Sequence, residues 1–374
     1  MIDFSEQNPG ARFLLIAACA VVVAWGLQFA APILLPFALA LFLSVLTLPI
    51  LAFLRARGLP TVLAVVSAMA VVVVVFVLIG LLASQSAGRL NDVLPAYGRR
   101  LGELQTSWVN GINTWLERFE LPGASEYLSA DLFDPSSMVD LVASTLGRAA
   151  SLVSQGFLVF LIMFFILAES TVFPRKLEAI FGGSLRGEEG MRKVVSEVQT
   201  YLGIKTAMSL LTGVLIGLWA WITGLDLPIL LGLLAFALNY IPTVGSIIAA
   251  IPGVLMSLIL FGTVSHALLV AMGYVLVNTI FGNLIEPNLM GRRLGISTLV
   301  VIMSLLFWGW TWGPIGALLS VPLTMVVKIW LENTRDLRWV AVLLDKQPPS
   351  VPVPGAMEGG PGFAMDPNAE GGRR

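Results

Sequence analysis

The sequence predicts an all-α, polytopic membrane protein with about eight membrane segments, two of them broken helical hairpins of inverted orientation. Three observations predict it. Of the 374 residues, 57% are hydrophobic and only 12% charged, whereas about a quarter of a soluble domain is charged. Mean hydropathy is +0.89, and apolar runs of about 20 residues, the length that spans a bilayer, recur along the chain. Two further runs, 227–261 and 297–331, are each about 35 residues. As helix each would measure about 52 Å against a hydrocarbon core of about 30 Å, too long for one span and too short for two comfortable ones.

Six runs read as simple spans: 13–31, 33–54, 61–84, 149–168, 201–223 and 266–285. The N-terminus "MIDFSEQNPGAR" has neither a basic region nor a small-residue cleavage site, so the first run is expected to be a retained span rather than a signal peptide. The lone cysteine, Cys19, lies in that run and permits no disulfide or cysteine-based metal site within one chain.

The two long runs carry their helix breakers near the middle. The first holds "ALNYIPTVGSIIAAIPG", with Asn239, Pro242 and Gly245; the second holds "WGWTWGP", with Gly313 and Pro314. Proline deletes a backbone donor and clashes with the preceding turn, and glycine adds chain entropy, so neither belongs inside an ordinary span. Both runs therefore read as hairpins with short arms and a broken tip. A small-and-aliphatic arm follows each tip and leads to Pro252 in one and Pro322 in the other. The alternative is a plain tight turn joining two full spans at the membrane surface; arm length weighs against it.

Arginines in short loops set the orientation. Arg55 with Arg57, and Arg292 with Arg293, are expected on the cytoplasmic side. Both termini are then cytoplasmic. The first hairpin enters from outside and the second from the cytoplasm. The chain divides into three spans (1–84), an extracytoplasmic amphipathic helical segment (85–148), a fourth span with a cytoplasmic amphipathic segment (149–200), a transport core (201–346) and a Pro/Gly-dense tail (347–374) expected to be disordered. In the external segment Leu94, Tyr97, Leu101, Leu104 and Trp108 make one narrow apolar seam. The seam would lie on the bilayer or on its own domain, or form an oligomer contact.

Absences narrow the chemistry. A net charge of -1 with no basic cluster excludes a nucleic-acid partner. The single histidine, His266, excludes an H-E-x-x-H metal site, and no phosphate-binding G-x-x-x-x-G-K-[ST] loop exists. Neither 227–285 nor 294–327 contains any Asp, Glu, Lys or Arg. Hydrolytic chemistry is unsupported; no enzyme activity, cofactor or metal is expected. What remains is backbone. Broken helices are tolerated in hydrocarbon only where protein buries them or where they line a wet cavity, as in transporter substrate sites. The expected solute contacts are Asn239, Ile241, Pro242, Thr243 and Gly245 at the first break, and Gly313, Pro314 and Gly316 at the second. Asn239 could instead pair backbone freed by Pro242. Glu286 and Lys205 are candidates for proton or ion coupling. The plain alternatives are a local salt bridge for Glu286 and snorkelling to the interface for Lys205. Pro252, Pro287, Gly291 and Pro322 are candidate hairpin or hinge positions. His266 reads as an interfacial side chain, and Asn278 and Asn283 as interhelical hydrogen-bonding residues.

Taken in order, "YLGIKTAMSLLTG", "NYIPTVGSIIAAIPG", "NLIEPNLMGRRLGIS" and "WGPIGALLSVPL" resemble the AI-2E family of bacterial transporters, with the specific part in 201–328. Carried over by position, the family-like residues are Lys205, Asn239, Pro242, Gly245, Glu286, Pro287, Gly291, Gly313, Gly316 and Pro322. Where relatives commonly continue with proline, this chain has Ser297 and Thr298. The resemblance implies a homo-oligomeric, multi-pass transporter of the bacterial inner membrane, a pentamer being one implied assembly, with membrane lipid around it. Family members are associated with export of the signal autoinducer-2 and, in other branches, with sodium or lithium exchange for protons. The expected function is secondary export of a small polar solute between the two hairpins. Its rivals are a cation/proton antiporter using Glu286 and a non-transporting membrane scaffold that binds a partner through the external seam.

Overall fold

The computed structural model describes residues 9–118, 156–170, 172, 176, 185–290, 296–333 and 338–345. The chain is all-α and polytopic. Its helices are α1 (Pro9–Phe29), α2 (Ala31–Ala56), α3 (Thr61–Arg118), α4 (Gly156–Ser170), α5 (Leu185–Ile222), α6 (Pro228–Leu238), α7 (Val244–Phe261), α8 (Val264–Val277), α9 (Glu286–Met290), α10 (Thr298–Asn333) and α11 (Arg338–Leu344). A π-helical stretch, Asn278–Ile285, joins α8 to α9. Among the described residues six helices are long and apolar enough to cross a membrane: Ala31–Ala56, Thr61–Ser86, Val195–Ile222, Val244–Phe261, Val264–Met290 and Thr298–Glu332. Shorter apolar helices occur at Ala17–Phe29, Gly156–Ser170 and Pro228–Leu238. The tail 347–374, Gly291 with Arg292 and Arg293, and 119–155 lie outside the described residues.

The third span runs without interruption into the segment that follows residue 84, as one helix of 58 residues, Thr61–Arg118, about 87 Å long. Tyr97, alone of the predicted seam, has a described side chain, and it docks on the protein's own core: it is buried with Leu225, Leu227 and Ile259. Its hydroxyl donates to Asp226 Oδ2 at 2.6 Å, and Arg100 Nη1 donates to the Leu260 carbonyl. Burial and the adjacent Asp226 carboxylate push the Tyr97 hydroxyl well above the usual phenol range, so it stays a donor. The base of α3's extension is thereby tied to the turn before α6 and to the last turn of α7.

Three apolar clusters organise the interior. One joins α2, α3 and α4 around Ala40, Val65 and Met163. Another joins α2, the first half of α5 and α10 around Phe42, Tyr201 and Trp308. The last joins the second half of α5 with α6, α7 and α8 around Ile216, Leu231 and Val270. Helix α5 is thus the shared wall between the last two clusters. Its contact with α6 is nearly bare backbone: a Cβ on Gly232 would stand 2.7 Å from the Gly213 carbonyl oxygen and 3.2 Å from Gly217 Cα. Membrane helices lack a hydrophobic drive toward each other, so close small-residue contact supplies the packing.

Most large apolar side chains that remain exposed lie on these spans, for example Phe76, Leu218 and Leu268. In hydrocarbon such faces need no cover.

Gly232→Leu is therefore expected to separate α5 from α6 and to lower thermal stability in detergent by about 1–3 kcal/mol, the range for overpacked sites. Gly80→Ala, where nothing lies within 4 Å of the new methyl, serves as the neutral control.

Candidate functional site

Helix α6 ends because Pro242 cannot donate, and the chain turns before α7 begins at Val244. Within that turn Thr243 adopts φ 57°, the sole non-glycine residue with positive φ among the described residues. Left-handed backbone is strained for a β-branched residue, by about 1–3 kcal/mol. Gly245 is pressed onto the backbone of Leu238: a Cβ there would overlap the Leu238 carbonyl oxygen. Glycine at 245 thus permits α7 to start directly against the end of α6.

The break is fastened to α5. Asn239 Nδ2 donates to Ser209 Oγ at 3.0 Å, and Tyr240 Oη donates to Thr206 Oγ1 at 2.8 Å. Asn239 therefore spends an amide proton on the neighbouring helix. Ser209 lies at the middle of the 28-residue stretch Val195–Ile222, with about 20 Å of helix on either side. The first break thus sits beside the midpoint of a span.

Lys205, Ser209, Thr212 and Ile216 follow the helical step of three or four and are all buried on one face of α5. Above this face Thr212, Asn239, Ser246, Tyr274 and Asn278 line a cavity of about 10 Å³ together with apolar neighbours that include Ile216 and Ala249. That volume accommodates about one water molecule, whereas a ligand site needs roughly 300 Å³ or more. The space at this point is therefore water-sized. Tyr274 is buried, and its hydroxyl has no hydrogen-bond partner among the described residues.

One turn toward the start of α5, Lys205 Nζ donates to Glu286 Oε1 at 2.6 Å. The side chains are 6% and 13% exposed, so this is a buried pair. Lys205 does not snorkel, and Glu286 is met by a span on the far side of the sequence rather than by its own loop. The π-helical stretch delivers it. Pro287 at the start of α9 cannot donate to the turn before it, and the wider π turn absorbs that missing bond. Gly282 fits within the stretch because a Cβ there would stand 2.8 Å from Asn278 Oδ1.

The second break is at Gly313, whose φ 67° and ψ -151° interrupt α10. Trp308 Nε1 donates to Thr324 Oγ1 at 3.1 Å across a separation of 16 residues; an unbroken helix would hold them about 24 Å apart. The two arms of α10 therefore lie side by side. Gly316 permits this, since a Cβ there would overlap the Trp308 carbonyl oxygen. Trp312 Nε1 donates to the Leu27 carbonyl at 3.0 Å, so this break is anchored to the last turn of α1. At the other end Lys328, buried, meets Asp345 at 3.2 Å and Glu332 at 3.5 Å, and Ile296 bridges to Asp345.

The structure thus gathers Asn239, Ile241, Pro242, Thr243 and Gly245 at one break and Gly313, Pro314 and Gly316 at another. Among the described residues no hydrogen bond joins the two. Pro252 lies inside α7 and Pro322, fully buried, inside the second arm of α10, both in helical backbone. His266 Nδ1 pairs with Ser257 Oγ at 2.7 Å beneath the stacked ring of Phe261, at the α7–α8 turn. Sequence reasoning missed Thr206, Ser209, Thr212, Ser246 and Tyr274. A signal existed on α5, where Lys205, Ser209 and Thr212 place polar groups at helical spacing in an apolar run. Nothing local marked Tyr274, whose position depends on the α7–α8 packing.

Residues 13–336 match the model of the AI-2E family transporter family. The chain is 38% identical over 337 residues to the AI-2 transport protein TqsA of Escherichia coli, covering 90% of this chain and 96% of that one. It is 37% identical over 338 residues to a putative transport protein of Haemophilus influenzae, covering 89% and 96%. It is also 32% identical over 350 residues to the putative transport protein YhhT of Escherichia coli, covering 93% and 98%. With its apolar spans, its helix break at mid-span and likeness over nearly its whole length, the chain belongs to the AI-2E transporter family, whose members are multi-pass inner-membrane transporters and not enzymes.

Proposed function

We propose that the protein is a secondary transporter that exports a small polar solute past the break at 239–245, with the break at Gly313, Pro314 and Gly316 as its counterpart from the opposite side. The observation that carries this is the position of the first break beside the middle of the Val195–Ile222 span, where neutral polar side chains converge on a cavity. A buried break at mid-membrane presents helix ends to a solute without a charged residue. The cavity's small volume corresponds to a closed state that must widen for passage. Autoinducer-2 is the first solute to try, since the relative TqsA bears that name. In this reading both termini are cytoplasmic, the hairpins α6–α7 and α10 enter from opposite faces among about eight membrane segments, and the protein assembles as a homo-oligomer with a pentamer as the first candidate. Pro252, Pro287, Gly291 and Pro322 would serve as the points about which the hairpin arms move.

The buried Lys205–Glu286 pair favours a second reading, cation/proton exchange. Ionisable residues inside a membrane mark ion pathways more often than chance. Against it, the pair neutralises itself, and the segment 227–285 brings no further carboxylate toward it.

In proteoliposomes, Gly245→Leu is expected to abolish solute transport, because the side chain must displace the Leu238 carbonyl; full transport by a correctly inserted variant sinks the site assignment. Thr243→Gly relieves the left-handed strain and is expected to raise unfolding stability by about 1 kcal/mol, read from thermal melts in detergent. Glu286→Gln leaves Lys205 buried without a counter-charge and is expected to cost about 3–5 kcal/mol. Its double variant with Lys205→Met should recover most of that loss. Proton movement driven by a sodium gradient, present in wild type and absent in Glu286→Gln, would instead establish the exchange reading.

A further inference from the structure

The α6–α7 hairpin is held at its tip and at its base by two different helices. Among the described residues the tip's side-chain hydrogen bonds to other helices go to α5, Asn239 with Ser209 and Tyr240 with Thr206. At the base the partner is α3, beyond its apolar stretch Thr61–Ser86. Tyr97 Oη donates to Asp226 Oδ2 at 2.6 Å, just before α6 begins at Pro228, and Arg100 Nη1 donates to the Leu260 carbonyl, just before α7 ends at Phe261. One helix therefore grips both arms of the hairpin.

Positions 97 and 100 are three apart and share a face of α3. The last carbonyls of a helix lack amide partners within it; in α7 the Gly262 amide, in left-handed backbone, takes the Leu258 carbonyl, and the Arg100 guanidinium takes that of Leu260. Apolar packing fills the space between the two ties. Tyr97, 6% exposed, is buried with Leu225 and Leu227 ahead of α6 and with Ile259 in α7, and Val93 one turn earlier packs against the same cluster. Such a brace opposes sliding of one arm past the other, since displacing either arm along its axis breaks its tie to α3. Bending above the brace remains open to both arms. Midway between Val244 and Leu260, Pro252 cannot donate to the Ile248 carbonyl, and the strained backbone of Thr243 lies at the end of the hairpin away from α3.

We propose that Tyr97 and Arg100 are positioning residues for transport: from α3 they brace both arms of the α6–α7 hairpin at its base, so that the hairpin yields at its tip, about 24 Å away along α7, rather than sliding as a body. The inference rests on the transport reading above. Neither residue touches the solute. Loss of either tie lets the base drift, and opening at 239–246 becomes more frequent but poorly aligned.

The test uses the full-length protein in lipid nanodiscs, with backbone hydrogen exchange read by mass spectrometry, and the same variants in proteoliposomes with autoinducer-2 as the transport probe. Tyr97→Phe removes a hydroxyl and keeps the buried ring, Arg100→Met removes the guanidinium and keeps the stem, and Arg100→Lys can still donate to Leu260. In Tyr97→Phe and Arg100→Met, exchange at 239–246 is expected to rise about fivefold, the worth of one hydrogen bond, with α2 and α4 unchanged and Arg100→Lys close to wild type. The maximal transport rate is expected to fall by a similar factor at an unchanged half-saturating concentration. A rise in exchange confined to 223–228 and 258–262 overturns the proposal, because the ties then act only locally. A rise spread evenly over all helices also overturns it, because the ties then merely stabilise the fold. Faster exchange at the tip with an unaltered transport rate overturns the positioning role. Exchange that responds as expected, with no autoinducer-2 moved by wild type, keeps the brace and counts against the transport reading.

Discussion

Inside hydrocarbon a backbone that leaves its helix must find partners within the protein; here the turn pairs its own backbone, Ile241 N–H with the Leu238 carbonyl and Gly245 N–H with the Ile241 carbonyl, and helix α5 holds the turn by its side chains. Ser209 and Thr206 hold Asn239 and Tyr240, and Gly213 and Gly217 admit α6 at backbone contact. Without that wall the Asn239 amide and the Tyr240 hydroxyl would lose their partners beside lipid, which is costly for buried polar groups. The same helix separates the cluster around Trp308 from the cluster around Leu231. Every element argued to bear on transport therefore touches α5 or touches something that does.

Charge is placed with the same economy. The long uncharged stretches of α6–α8 and α10 are bounded by two buried lysines: Lys205, met by Glu286 81 residues on, and Lys328, met by Asp345 and by Glu332 on the next turn. Lys205 with Glu286 binds α5 to the end of the α8 path. Lys328 with Asp345 binds the second arm of α10 to the segment that follows α11. Within 227–285 and 294–327 every polar side chain is free of Asp, Glu, Lys and Arg charge. The solute path proposed above thus lies among hydrogen-bonding groups without formal charge, and Thr243 is its one non-glycine residue with positive φ among the described residues.

Much of this was legible in the residues. The two long runs with Pro and Gly at their centres located both breaks, at 239–245 and at Gly313, because breakers are costly in a membrane helix wherever they stand. Glu286 and Lys205 were visible as isolated charges in apolar surroundings. What the pattern did not reveal was that they meet. Their separation of 81 residues carries no local signal, and the π-helical turn that aims Glu286 depends on how α8 packs. The external seam was likewise visible as spacing, but its docking through Tyr97 onto Asp226 rests on the length of a helix that runs straight out of the third span.

Hydrophobicity and breaker placement are properties of single segments, and so the sequence by itself determined a polytopic helical membrane protein, its family resemblance and the positions of its two breaks. Partnership is a property of the packed chain. Only the tertiary structure decided that Asn239 answers to Ser209, that the second break is anchored to α1 through Trp312 and Leu27, and that the buried Tyr274 hydroxyl, without a partner among the described residues, borders a cavity. The physical reason is that a hydrogen bond in a low-dielectric interior is chosen by geometry within a few tenths of an ångström, and residue order constrains that geometry only through the whole fold.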